Sequence, residues 1–191
     1  MTPENILTFW LEDHTHDDWY GGKAAFDDLV NTRFGDLVPK AEASELFGWR
    51  KSPQGRLAEI IILDQFTRQL FRGEARAFAS DRLALALAQE AVANGDDLKL
   101  TEVQRSFLYM PYMHSESLLI QNESVRVFAL LDEDNLKFAK SHRDTIQRFG
   151  RFPKRNEALG RTSTQEERAY IADSGSSMFR THKCPDISKT Y

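Results

Sequence analysis

At 191 residues and a net charge of −4, the chain suits one folded domain, large enough to bury roughly 70% of its unfolded surface without a covalent staple. Its one cysteine, Cys184, excludes an intrachain disulfide and points to a reducing, cytoplasmic setting. The acidic balance argues against a general nucleic-acid binder, no window nears the ~20 apolar residues of a membrane span, and the N-terminal segment lacks the basic start and unbroken apolar run of a signal peptide.

Helical signals then follow one another along the chain. Thr2-Pro3-Glu4 combines an N-cap, a first-turn proline and an acid, opening a helix to about Leu11. His14 to Gly22 reads as a loop, leaving the surroundings of Trp10 and Trp19 open. Lys23 to Phe34 carries Phe26, Leu29, Val30 and Phe34 at helical spacing, with Gly35 as its stop. Leu37 to Phe47 is a weaker helix with a proline near its start. Ser52-Pro53 opens a long helix that ends at Gly73, and Asp81 to Asn94 is an alanine- and leucine-rich helix ending at Gly95. Thr101 and Gln104 form a capping box for a helix that Pro111 is expected to break or kink near Met110. Ser117 to Leu131 and Asp134 to Phe149 complete the long helices, with short ones near Arg155–Leu159 and Gln165–Ala172. No stretch alternates as a half-buried strand does, and the IIIL run sits inside a longer helical period. These signals predict an all-α fold of antiparallel helical hairpins over residues 1–172, followed by a polar tail over 173–191 that docks, if at all, through Met178 and Phe179. A 34-residue hairpin rhythm is present, but the W-x-x-L-G-x-x-Y repeat pattern is absent.

Three stretches concentrate chemistry. In LDQFTRQLFRG (63–73), Asp64 and Arg68 lie four apart on the face that also carries Leu57, Ile60, Ile61 and Phe71, while Gln65 and Arg72 occupy the flank. A helix apolar on both sides is buried, so this stretch reads either as a register-fixing ion pair or as two arginines lining an anion pocket. In YMPYMHSES (109–117), apolar filler precedes His114, Ser115 and Glu116, and Glu116 suits the first turn of the next helix. His114 and Glu116 converge only across a bend, which Pro111 is expected to supply. In residues 141–161, His142 joins the inward stripe of Phe138, Ala139, Ile146 and Phe149. Arg143, Arg148, Arg151, Lys154, Arg155 and Arg161 follow, opposed in this run only by Asp144 and Glu157. Gly150 and Pro153 set a helix end against a helix start, where free amides beside arginines suit an anion. A solvated basic face and a nucleic-acid contact are the other readings, the last weakened by the lack of interleaved aromatics or a known motif. No H-E-x-x-H, paired E-x-x-H, Gly-rich phosphate loop or G-x-S-x-G occurs, so neither a metal, a cofactor nor serine-hydrolase chemistry is expected.

Taken together and in order, FW near the start, LDQFTRQLFRG, ARAFASD, MHSE and HRDTIQRFGRFPKRNEALGR followed by ST and EE resemble the bacterial domain of unknown function 924 family over roughly residues 3–172. The resemblance implies an all-helical, tetratricopeptide-like protein and transfers no activity. It places Asp64, Gln65, Arg68, Arg72 and Gly73, then His114, Ser115 and Glu116, then His142, Arg143, Arg148, Phe149, Gly150, Arg151, Pro153 and Asn156 on family motifs. The functional expectation is a scaffold or binding domain with a partly buried polar network, its partner a protein or a small anionic ligand. The alternative is an enzyme or binder of a small carboxylate or phosphate. Candidate catalytic residues are then His114, Glu116 and His142, and candidate ligand-binding residues Asp64, Gln65, Arg68, Arg72, Arg148, Arg151 and Asn156. The sequence does not disclose an oligomeric state.

Overall fold

In the computed structural model, residues 1–174 are described; the remaining residues of the polar tail, with Met178, Phe179 and Cys184, lie outside them. Every regular element among the described residues is helical, so the protein is all-α. Helix α1 (Pro3–Leu7) opens at Thr2, the expected N-cap, whose amide donates to Asn5 Oδ1, and continues as a π-helical turn over Thr8–Glu12. The segment expected as a loop holds a further short helix, α2 (His16–Tyr20), capped by Thr15 and Asp18. Its purpose is packing: Trp19 stacks on Trp10 at 5.9 Å and donates from Nε1 to the Trp10 carbonyl at 2.9 Å. Helix α3 spans Ala24–Phe34. Helix α4 stops early, at Leu37–Glu42; turns occupy residues 43–46, and a 3-10 turn over Phe47–Lys51 begins at the expected end of that helix.

The centre of the molecule is one rod built from α5 (Pro53–Ile61), a π-helical turn (Ile62–Phe66) and α6 (Thr67–Leu70). Ser52 caps it, accepting from the Gly55 amide at 3.1 Å, as the Ser-Pro signal predicts. Helices α1 and α7 (Asp81–Ala93) pack on this rod, as does α8 (Glu102–Met113). Chain neighbours then pack as hairpins: α7 on α8, α8 on α9 (Leu118–Phe128), and α9 on α10 (Glu133–Phe149). A 3-10 turn (Pro153–Arg155) leads to α11 (Gln165–Ser174), which packs against it.

Pro111 does not end α8 as expected; it is buried inside the helix, which runs on to Met113. The ring removes one donor, yet the next turn closes normally, with the His114 amide donating to the Met110 carbonyl at 2.9 Å. His114 thereby becomes the C-cap of α8, and the chain turns there, not at the proline.

The candidate site at the helix junction

Asp64 is drawn into the protein by the rod that carries it. Its neighbours Ile60, Ile61, Ile62 and Leu63 are fully buried, and its own side chain is 1% exposed. It lies within the π-helical turn, whose extra residue shifts the side-chain register that plain helical spacing predicts. The cap position of α8 brings His114 to it, Nδ1 lying 2.7 Å from Asp64 Oδ1. Arg68, one turn further along the rod, places Nη1 3.1 Å from the same oxygen, and Gln65 donates to the other. Burial alone would push the Asp64 carboxyl up, but the Arg68 cation and His114 hold it well below the usual carboxylate range. Burial pushes His114 the opposite way, below its ordinary value; Arg68 adds to this and the Asp64 charge opposes it. The result is an ionised carboxylate accepting from a neutral imidazole, so Nδ1 carries the hydrogen and Nε2 presents a bare lone pair. Nε2 makes no hydrogen bond among the described residues, and the His114 side chain as a whole is 17% exposed.

Two residues outside the candidate set complete this network. Asp81, in the first turn of α7, faces Arg68 at 2.9 Å and Arg155 at 3.0 Å. Arg155 also donates from Nη2 to the His114 carbonyl at 2.9 Å, and its guanidinium lies between the rings of Phe78 (4.6 Å) and Phe152 (4.7 Å). Read from sequence, Asp81 is only a helix-start acid and Arg155 only one of six cations. Their signal lay in position, inside the ARAFASD and HRDTIQRFGRFPKRNEALGR stretches.

Glu116 caps no helix. It accepts from both terminal nitrogens of Arg161, at 2.7 and 2.9 Å, and from the Phe152 amide at 2.7 Å. The amide beyond Gly150 that suits an anion is thus filled by this internal carboxylate. Burial would raise the Glu116 carboxyl, but Arg161 and the Phe152 amide bring it below its ordinary value. Gly150 makes the crossing possible with a left-handed φ of 70° at the end of α10.

The remaining candidates lie apart. Arg72 pairs with Asp27 at 3.0 Å and is half exposed, and Arg148 pairs with Glu166 at 2.8 Å, also exposed. Arg151 grips Glu167 with two bonds at 2.7 and 2.9 Å, which with the Thr164 amide takes that carboxyl down to about 2. Asn156 is buried and donates to Ser163 at 3.0 Å. His142 bonds the Phe138 carbonyl through Nδ1 at 2.8 Å and meets the Phe152 ring edge-on at 5.7 Å. Burial pushes it down to about 4. The seven side chains Arg68, Arg72, His114, Glu116, His142, Arg148 and Arg151 therefore do not share one pocket. Two surface cavities, of about 420 and 410 Å³, are lined by other sets of residues, the first including Arg148 and neither touching Asp64 or His114. Among the described residues, no group of three His, Cys, Asp or Glu is placed to hold a metal, and no helix is long and apolar enough to cross a membrane.

The comparisons with known proteins agree with the motif pattern. A protein of unknown function from Agrobacterium tumefaciens has a similar structure, with a TM-score of 0.85 at 38% identity, over 90% of this chain and 97% of that one. No curated protein matches. The sequence profile of the bacterial family of unknown function DUF924 matches residues 6–175, nearly the whole described chain. The chain belongs to that family.

Proposed function

We propose that the protein is a helical binding domain for a small metabolite bearing a carboxylate or phosphate, with the Asp64–His114 pair as its proton-handling centre. The observation that carries this reading is the 2.7 Å contact between His114 Nδ1 and a buried Asp64. A carboxylate fixed behind an imidazole sets the tautomer and leaves Nε2 to accept a hydrogen from a ligand, or to act as a general base toward it. Arg68 and Arg155 flank the pair and make their described bonds through their terminal nitrogens, keeping each Nε–H for an incoming oxygen. The test is a thermal-shift screen against inorganic phosphate, pyrophosphate and small mono- and dicarboxylates, repeated with His114→Asn. The asparagine amide keeps a donor toward Asp64 but deletes the Nε2 acceptor. A shift present in the parent and lost in the variant, with the unliganded midpoint little changed, is the expected result. A shift that survives His114→Asn would overturn this reading.

A second reading is favoured by a different observation. Arg68, Arg72, Arg148, Arg151, Arg155 and Arg161 each have a carboxylate partner. On this reading the network only sets helix register, in a tetratricopeptide-like scaffold that presents a groove to a protein partner. Arg161→Ala then lowers stability while leaving every small-molecule shift unchanged.

A further inference from the structure

The larger surface cavity, about 420 Å³, lies where α10 meets α11, and the proposed function makes no use of it. That volume is within the range of small-molecule sites. Helix spacing of three and four residues puts Lys137, Ser141, Thr145 and Arg148 along one strip of α10, with Lys140 beside them. Phe149 and Tyr170 close the end, their rings 5.0 Å apart, and the Tyr170 hydroxyl meets Thr145 Oγ1 at 3.2 Å.

The cations here are exposed, whereas Arg68 and Arg155 around Asp64 are largely buried. Lys140 is exposed and has no ion-pair partner among the described residues. Lys137 and Arg148 pair with Asp134 and Glu166 at 2.9 and 2.8 Å, but all four side chains are at least 49% exposed. Such pairs are weak and exchange readily for a stronger anion. The one acid lining the cavity, Asp144, is already held by Arg143 at 2.7 Å. Tyr170 sits at the level of Thr145, five residues from Lys140, roughly 7.5 Å along the helix axis. A pentose spans that gap between a base and its phosphate.

We propose that this groove is a second ligand site, separate from the Asp64–His114 pair, that takes a nucleoside monophosphate. The base lies against Tyr170 and Phe149, and the phosphate meets Lys140 with Lys137 or Arg148.

The probe is adenosine 5′-monophosphate, titrated calorimetrically into the full chain, with adenosine and inorganic phosphate as its two halves. The nucleotide is expected to bind at least about tenfold more tightly than either half. Lys140→Glu, on an exposed position, should weaken it by about tenfold or more and leave the fold intact. Tyr170→Phe should bind nearly as the parent does, and Tyr170→Ala should lose the advantage of the nucleotide over phosphate. His114→Asn should leave nucleotide binding unchanged, which separates this site from the one proposed above. Nucleotide binding no tighter than phosphate, or unaffected by Lys140→Glu, overturns the proposal. So does binding that is lost with His114→Asn.

Discussion

Phe66 and Asp64 sit two residues apart on the same rod, and both are fully buried, yet opposite physics holds them there. Phe66 belongs to an aromatic cluster: Trp10 lies 5.3 Å away, Phe34 5.3 Å and Phe9 6.4 Å. Such burial is non-directional and scales with apolar area. Asp64 is held by aimed contacts from His114, Arg68 and Gln65. Removing a methylene from the first region weakens it in proportion. Removing one partner from the second leaves a desolvated charge under-compensated. The aromatic side fixes the fold, and the polar side fixes which atoms face one another at the helix junction.

The sharpest way to break this contrast is to cut each region once. Phe66→Ala should cost about 3–5 kcal/mol in chemical denaturation at pH 7. Arg68→Ala should cost about 3 kcal/mol, because it leaves Asp64 buried without its cation. In a double-mutant cycle with Asp64→Asn, the two changes should be strongly non-additive. If Arg68→Ala were as mild as a surface change, the network would not be the buried electrostatic unit described here.

Acid should act first on the buried histidines and carboxylates, not on the aromatic cluster. His142 is depressed from 6.5 to about 4, so between those values the unfolded chain binds a proton that the folded chain refuses. Stability therefore falls as pH drops from about 6.5 to 4, by up to about 3 kcal/mol for this residue. His114 acts in the same direction. Asp64 and Glu116 are also depressed, but as carboxylates their contribution is present above about 4 and is lost below it. Denaturation curves at pH 7, 5.5 and 4 check the slope, and His142→Leu should flatten its upper part.

The smallest effect should come from the exposed cations. Arg148→Ala should change stability by less than about 1 kcal/mol, although Arg148 was a site candidate on the same footing as Arg68. An equal cost for the two would erase the distinction between buried and exposed arginines.

That last pair shows what the sequence disclosed. The apolar stripes, caps and glycine stops were local signals, so the all-helical order and most helix starts were legible. The Ser52 cap and the Thr101–Gln104 box are examples. The pairing of Asp64 with Arg68 was legible too, because both sit on one helix face. Partners across helices were not. Nothing local distinguishes Arg155, which reaches Asp81 across 74 residues, from Arg148, which lies on the surface. Periodicity overstated Pro111 as a stop, because a buried proline inside a well-packed helix loses one bond and still continues. It also missed α2, whose five residues carry no period and are held by Trp19 alone on the apolar side.

Asp64 holding His114 neutral, with Nδ1 protonated and Nε2 bare, is the centre of this account. Nitrogen-15 NMR of the imidazoles across pH 4 to 8, assigned with His114→Asn, reads that state directly. The predicted result is an Nδ1–H tautomer at pH 7 that takes up its second proton below 6.5. An Nε2–H tautomer, or titration at or above 6.5, would contradict it.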